Sequence, residues 1–191
     1  MDLEEKIQKW IAADQLDLAI ETLEIALSKK PVTIFHEIIG SSFIPLTEGL
    51  FSFIDQFYRD AQKEITVKAI YAEMNGFSIN TDMWFIQLFG FSECGDSTDT
   101  DWLADYEFNN ELVLPILGLE KLQAGFQDYL DHERWDEDGL EDTRELCEWL
   151  IILRLQQVFR EAKSLAKEKK AQWAGITLFV TAHDYDLLYK I

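Results

Sequence analysis

Several residue types are scarce in this chain of 191 residues, and each scarcity excludes a class of protein. Two cysteines are too few for a disulfide framework or a four-thiolate zinc site, so we expect a reducing, cytoplasmic environment. Nine glycines and 3 prolines leave little room for long linkers. No apolar run approaches the roughly 20 residues that a membrane helix needs, and the acidic start MDLEEKIQKW does not resemble a secretion signal.

Positive charge is scarce relative to negative charge. Lysine and arginine total 17 against 36 aspartates and glutamates, which gives a formal net charge of −19. The acidic segment, residues 93–145, holds 17 acidic and 3 basic residues and so carries −14 of this charge. Such a chain repels nucleic acid and anionic membranes and attracts basic partners.

Apolar residues are plentiful: hydrophobic residues make up 48% of the chain and aromatic residues 13%. This composition excludes a disordered chain. The length suits one well-cored domain. We therefore predict a single domain over residues 1–191, with a helical part at 1–64 and a sheet with two further helices at 65–191.

A β-hairpin is the clearest local feature. Residues 65–71 alternate between apolar and other side chains, and residues 83–91 are apolar on both alternating sets. The second pattern predicts a strand inside the sheet, and Asn75-Gly76 marks a turn between the two strands.

The rest of the chain mixes helical and strand patterns. Helical spacing predicts elements at residues 2–12, 14–30, 45–63, 118–133 and 140–170, with Asp14 as a cap. Residues 33–40 fit a short buried helix or a strand, and we favour the helix because Thr33 can cap it. Further strands are predicted at residues 102–108 and 176–182, and residues 187–191 form a final short strand or a turn. Because helices and strands do not alternate regularly, we predict an α+β fold. Its mostly antiparallel sheet has about four or five strands, packed with helices from both halves.

Known catalytic and metal-binding motifs do not match. The nearest is an EF-hand loop with Gly139 at position 6 and Glu145 at position 12, but Arg134 then occupies the first ligand position. Nucleophile elbows, phosphate-cradling glycine loops and paired zinc histidines are absent. The sequence thus predicts no metal and no cofactor.

Polar residues follow or precede the predicted core strands, and they form one candidate site. They are Glu73, Asn75, Asn80, Asp82, His183, Asp184 and Asp186, with Tyr185 among them. If these strand ends meet at one sheet edge, the site would suit a small-ligand binder or an enzyme. The alternative is that Asn and Asp serve only as caps and turn residues.

The acidic segment provides the other candidate surface, and it supports the leading hypothesis. We predict an intracellular interaction protein that binds a basic protein partner, similar in size and charge alone to small acidic bacterial immunity proteins. The predicted partner-binding residues are Asp99, Asp101, Trp135, Asp136, Glu137 and Asp138. An acidic housekeeping protein, in which the charge serves only solubility, remains an alternative.

Overall fold

The computed structural model describes residues 3–95 and 100–191, in which five α-helices accompany one five-stranded sheet. The helices are α1 (Leu3–Ala12), α2 (Leu16–Ser28), α3 (Thr47–Ala61), α4 (Glu120–Asp131) and α5 (Leu140–Glu168). The strands are β1 (Ala69–Asn75), β2 (Phe85–Phe91), β3 (Val113–Pro115), β4 (Thr177–Ala182) and β5 (Tyr189–Lys190). Helices come from both halves of the chain, so the predicted α+β class is confirmed.

The strand order in the sheet is β3-β2-β1-β4-β5. Neighbouring strands are antiparallel except β1 and β4, which run parallel. The sheet is therefore mixed rather than purely antiparallel. The parallel register pairs Met74 of β1 with Ala182 of β4. As a result, the carboxyl ends of these two strands lie side by side.

The two faces of the sheet differ in what covers them. The face toward the helices carries the apolar residues Ile70, Ala72, Met74, Leu178 and Val180, which belong to the main core. Helix α5 packs on this face, and the buried Gln156 amide donates hydrogen bonds to the carbonyls of Val180 (3.3 Å) and Leu187 (2.6 Å). Alternate residues of β1, namely Tyr71, Glu73 and Asn75, point to the opposite face.

The opposite face is called the open face below, and among the described residues a short helix packs on its aromatic half. The strand predicted at residues 102–108 is wrong: the chain forms a 3₁₀ helix at Asp101–Ala104 instead. The Trp102 ring packs edge-on against Phe91 and Phe179, with centroid distances of 4.8 and 5.2 Å. The prediction was wrong because it took the even spacing of the aromatic residues as the alternation of a strand. Trp102 in fact packs on the sheet from a short helix.

The start of β1 and the cap of α2 also differ from the prediction. Strand β1 begins at Ala69 rather than at residue 65, because Phe91 at the end of β2 lies opposite Ala69. Asp14 does not cap α2, because Gln15 is the residue directly before that helix. The Asp14 carboxylate instead accepts a hydrogen bond from the Tyr189 hydroxyl (2.5 Å). The Thr33 cap is confirmed, and it begins a 3₁₀ helix at Ile34–Ile38.

Trp84 forms part of the core directly before β2. Its side chain has no solvent exposure and packs against the rings of Phe77 and Phe126 at 5.3 Å. Strand β2 has a neighbour on each side, as predicted, but β1 is the middle strand of the sheet. The hairpin loop folds toward α4, because the rings of Phe77 and Trp84 both contact Phe126 of that helix.

Candidate functional site

A cleft of about 700 Å³ lies on the open face, where β1 and β4 end. The 3₁₀ helix at Asp101–Ala104 packs on the aromatic half of this face, and its residues Leu103 and Ala104 border the cleft. The cleft is bounded by Tyr71 and Glu73 of β1, Gln8 of α1, Leu103, and the loop that joins β4 to β5. Polar side chains of two parallel strands therefore converge on one cavity.

Glu73 is the centre of the hydrogen bonding in this cleft. Its carboxylate accepts hydrogen bonds from the Tyr71 hydroxyl (3.0 Å) and the Asn75 amide (3.3 Å). The Nδ1 atom of His183 lies 3.1 Å from the same carboxylate. The Glu73 side chain keeps 16% of its surface exposed. Alternation along β1 places Tyr71, Glu73 and Asn75 on one face, and the parallel register brings His183 beside them.

The tyrosine at this site is a hydrogen-bond donor. Burial raises the pKa of Tyr71 far above its usual value, and the negative charge of Glu73 raises it further. Tyr71 therefore stays protonated at physiological pH. In that state it orients the Glu73 carboxylate and does not act as a base.

The loop after β4 adds two carboxylates at the mouth of the cleft. Asp184 and Asp186 are both exposed and line the cavity. Asp184 has a left-handed backbone (φ 63°), which aspartate tolerates better than most residues, and its Oδ1 lies 3.5 Å from Nε2 of His183. The described residues that line the cleft include three carboxylates and neither lysine nor arginine. The cleft is thus acidic and lacks a lining cation to balance it.

The structure brings together five of the seven residues proposed for the polar site: Glu73, Asn75, His183, Asp184 and Asp186. Asn80 and Asp82 lie outside the cleft. The Asn80 side chain donates to the Met83 carbonyl (2.7 Å) and accepts from the Met83 amide (3.3 Å), which is turn chemistry. These two residues belong to the hairpin loop, which folds toward α4 instead of the open face.

Sequence reasoning missed other cleft residues. Tyr71 was identifiable, because a residue two positions before Glu73 shares its face of a strand. The backbone carbonyl of Tyr185 accepts a hydrogen bond from the Thr181 hydroxyl (3.1 Å), and Thr181 likewise lies two positions before His183. No sequence signal indicates that Gln8 and Leu103 reach the cleft, because both come from elements that pack there through tertiary contacts.

No protein-family model, curated protein or solved structure matches this chain. None of the helices in residues 3–95 and 100–191 combines the length and apolarity that crossing a bilayer would require.

The acidic segment does not form one continuous surface. Asp101 lies in the 3₁₀ helix on the open face, beside the cleft residue Leu103. Trp135 and Asp136 lie in another 3₁₀ helix, Arg134–Asp136, which contacts α4 and α5 in the helical layer. The sheet separates the two groups. Asp99 lies outside the described residues.

Around Trp135 the predicted partner-binding residues do lie together. Trp135 is 47% exposed, and its ring meets Tyr129 edge-on at 6.5 Å. Asp136 and Asp138 are exposed beside it. Glu137 is held by Arg134 through two hydrogen bonds of 2.6 and 2.9 Å, and these bonds lower the pKa of Glu137.

Arg134, at the first ligand position of the EF-hand-like loop, has a structural role. Arg134 donates a hydrogen bond to Asp128 (2.5 Å) in addition to its two bonds with Glu137. It therefore joins α4 to the following loop as a structural cation. Among the described residues there is no group of three or more histidines, cysteines, aspartates or glutamates arranged to hold a metal ion.

A buried polar network lies behind the cleft. Tyr185 lines the cavity, and burial together with the negative charge of Glu148 raises its pKa. Glu148 lies in α5 and is 1% exposed. Arg144 bonds to Glu148 and also donates to Glu141 through Nη2 (2.6 Å). Burial raises the pKa of Glu148 to about 7, although Arg144 and Tyr185 both act to lower it. One wall of the cleft is thus close enough to a buried carboxyl group to feel its charge.

Proposed function

We propose that this chain is a binding protein for a basic protein partner, and that the cleft receives a lysine or arginine side chain of that partner. The observation that carries the proposal is the charge of the cleft. Glu73, Asp184 and Asp186 line it, and among its described lining residues there is no lysine or arginine. A cationic side chain supplies the charge that this lining lacks.

The dimensions and chemistry of the cleft fit such a side chain. Its volume of about 700 Å³ lies within the range of ligand pockets. Asp184 and Asp186 at the mouth provide exposed acceptors for an ammonium or guanidinium group. Tyr71 and Tyr185 provide aromatic surface for the aliphatic stem. The Glu73 carboxylate is already oriented by its three neighbours, so little ordering is needed on binding.

The charge of the whole chain acts at longer range. A formal net charge of −19 attracts a basic protein and accelerates its association, and it repels nucleic acid and anionic membranes. Cys94 and Cys147 are both free thiols, which supports the cytoplasmic location included in this proposal. In this respect the proposed function is of the immunity-protein kind, in which an acidic protein covers a basic one.

The surface around Trp135 is the second candidate for the contact with a basic partner. A tryptophan exposed by 47% is favoured as an interface anchor, and Asp136 and Asp138 lie beside it. This surface and the cleft share no residues, so separate variants can test them. A free amine in the same cleft is the small-ligand alternative.

The charge recognition is tested with short peptides. Acetyl-Gly-Arg-Gly-amide and acetyl-Gly-Lys-Gly-amide are titrated into ¹⁵N-labelled protein, and amide chemical shifts are recorded. The uncharged comparison is the same peptide with citrulline in place of arginine, which keeps the shape and removes the charge. We expect the charged peptides to shift amides of residues 71–75 and 181–188, and the citrulline peptide to leave them unchanged.

Two double variants identify the site. Glu73→Gln with Asp184→Asn should abolish these shifts, because it removes two of the three lining carboxylates. Glu21→Gln with Glu168→Gln removes the same charge from exposed helical positions outside the cleft and should retain them. Shifts confined to the surroundings of Trp135 would move the contact to the second surface. Equal shifts with arginine and citrulline would refute charge recognition, and no shifts with any peptide would refute the cleft as a site for a cationic side chain.

A further inference from the structure

A second cavity, a groove of about 390 Å³, lies where helices α1, α2 and α5 meet. Its apolar lining consists of Leu3 from α1, Ala26 from α2, and Leu146 and Trp149 from α5. Leu146 and Trp149 are largely buried and form the floor. Ala26 is partly buried, and its short side chain leaves room between the larger neighbours. The groove thus offers an apolar surface to a side chain that enters from solvent.

The rim of the groove is acidic. Glu4, Asp142 and Glu145 line it together with Lys30, which forms an ion pair with Asp142 at 2.7 Å. Within the described part of the chain, Glu145 makes no hydrogen bond and no ion pair. Burial raises the pKa of Glu145, and the charges of Glu4 and Asp142 raise it further. The rim therefore complements a ligand that carries positive charge beside an apolar side chain.

The groove adjoins the cleft along helix α1. Glu4 lines the groove, and Gln8, one turn later, lines the cleft. The Gln8 amide donates a hydrogen bond to the Glu4 carboxylate at 3.4 Å, and both side chains are exposed. Residues four apart share a face of a helix and lie about 6 Å apart along its axis. The two cavities are therefore neighbours on one surface.

We propose that the groove and the cleft form one binding site for an extended segment of the basic partner. An apolar side chain of that segment fills the groove, and a lysine or arginine two residues away enters the cleft. Alternate residues of an extended chain point to the same side and lie about 6.6 Å apart, close to the rise of about 6 Å from Glu4 to Gln8. This inference rests on the proposed function, because the basic side chain in the cleft is the one proposed there.

The two cavities make different contributions to such a complex. Exposed ion pairs contribute little to affinity, because water and salt screen them. An apolar side chain gains affinity in proportion to the surface that it removes from water. The acidic cleft therefore selects the charge of the segment, and the groove supplies the affinity that the charge alone does not.

The test uses two leucine peptides, acetyl-Leu-Gly-Arg-amide and acetyl-Arg-Gly-Leu-amide, which present the side chains in the two possible chain directions. The comparison peptides have alanine in place of leucine. Each peptide is titrated into ¹⁵N-labelled protein, and amide chemical shifts are recorded. We expect one order of the leucine peptide to bind about tenfold more tightly than its alanine analogue, because leucine buries more apolar surface. It should shift amides of residues 26–30 and 145–149 together with those of 71–75 and 181–188.

A variant that fills the groove tests its role directly. Ala26→Leu adds bulk to the lining of the groove and changes no residue of the cleft. It should remove the gain from leucine and retain binding of acetyl-Gly-Arg-Gly-amide, which also shows that the variant is folded. Ala124→Leu is the matched control, since it makes the same substitution at an exposed position of α4 that lines neither cavity. It should keep the gain.

The outcomes separate this inference from the proposed function. Cleft shifts with equal affinities for the leucine and alanine peptides in both orders overturn the joint site and leave the proposed function standing. A gain from leucine that persists in Ala26→Leu overturns the joint site as well. If no arginine peptide shifts the cleft amides, the proposed function is refuted, and a groove that responds alone contradicts the joint site.

Discussion

The Nδ1 atom of His183 lies 3.1 Å from the Glu73 carboxylate, although 110 residues separate them in the sequence. Strands β1 and β4 run parallel in adjacent positions, which places these two side chains at the same edge of the sheet. Rigid strands thus support the polar groups, and the loop after β4 adds exposed acceptors to them. Ligand sites recur at the carboxyl ends of adjacent parallel strands for this reason.

The core position of Trp84 predicts a large loss of stability on truncation. Trp84→Ala should lower the free energy of unfolding by about 3–5 kcal/mol, because it leaves a cavity against Phe77 and Phe126. Trp135→Ala is the comparison, since that ring is 47% exposed and its loss should cost about 0.5 kcal/mol or less. Urea denaturation measures both. Equal denaturation midpoints for Trp84→Ala and the wild type would contradict the core assignment.

The buried carboxyl of Glu148 predicts a pH dependence of stability. Its pKa in the folded protein is about 7, against about 4.3 in an unfolded chain, so folding favours its protonated form. This contribution is complete below about pH 4 and is lost as the pH rises through 7. The stability of the wild type relative to Glu148→Gln should therefore fall between pH 4.5 and 8, by on the order of 3 kcal/mol.

Urea denaturation at a series of pH values measures that difference. Glu168→Gln serves as the control, because it makes the same substitution at an exposed position near the end of the same helix. Its stability should follow the wild type at every pH. A constant difference between the wild type and Glu148→Gln would show that the carboxyl does not titrate in this range.

Calcium should not stabilise the fold. Arg134 occupies the leading ligand position of the EF-hand-like loop and is bonded to Asp128 and Glu137. A cation in that position opposes calcium binding. Millimolar calcium should leave the Tm of the metal-free protein unchanged. A rise of several degrees that is lost in Glu145→Gln would contradict this prediction.

The acidic surface around Trp135 should affect the rate of partner binding more than stability. Charges near an interface mainly accelerate association, and salt screens them beyond about 10 Å at 0.1 M. Changing Asp136 to Asn, Glu137 to Gln and Asp138 to Asn should slow capture of a basic partner and flatten its salt dependence. Stability should be nearly unchanged, because all three side chains are exposed.

Two matched variants separate the contribution of the Trp135 surface to partner binding from that of the cleft. Asp136→Asn with Asp138→Asn leaves the Arg134–Glu137 pair intact, and Glu73→Gln with Asp184→Asn removes the same charge in the cleft. If the cleft is the contact, the second variant should raise the dissociation rate and the first should alter only association. An unchanged rate and salt slope in the triple variant would leave the acidic segment with a solubility role.

The sequence alone determined the elements with strong local patterns. The β1–β2 hairpin, α5 and β4 are all present near the predicted positions, because a single periodicity specifies each of them. Polar residues at the strand ends also indicated three lining residues of the cleft, Glu73, Asp184 and Asp186, and two residues that contact Glu73, namely Asn75 and His183. Residues 102–108 misled the prediction, because aromatic spacing there reflects packing of a 3₁₀ helix onto the sheet and not a strand.

Only the tertiary structure decided which strand ends meet. In the described residues the connection from β1 to β4 includes β2, β3, α4 and α5, so nothing local to either strand specifies their parallel pairing. The packing of α5 across the sheet decides it by burying Leu178 and Val180 against the helix, which leaves Glu73 and Thr181 on the open face. The same packing buries Glu148 of α5, which is 1% exposed. Local periodicity specifies elements, whereas the neighbours of a buried carboxyl depend on contacts between elements far apart in the chain.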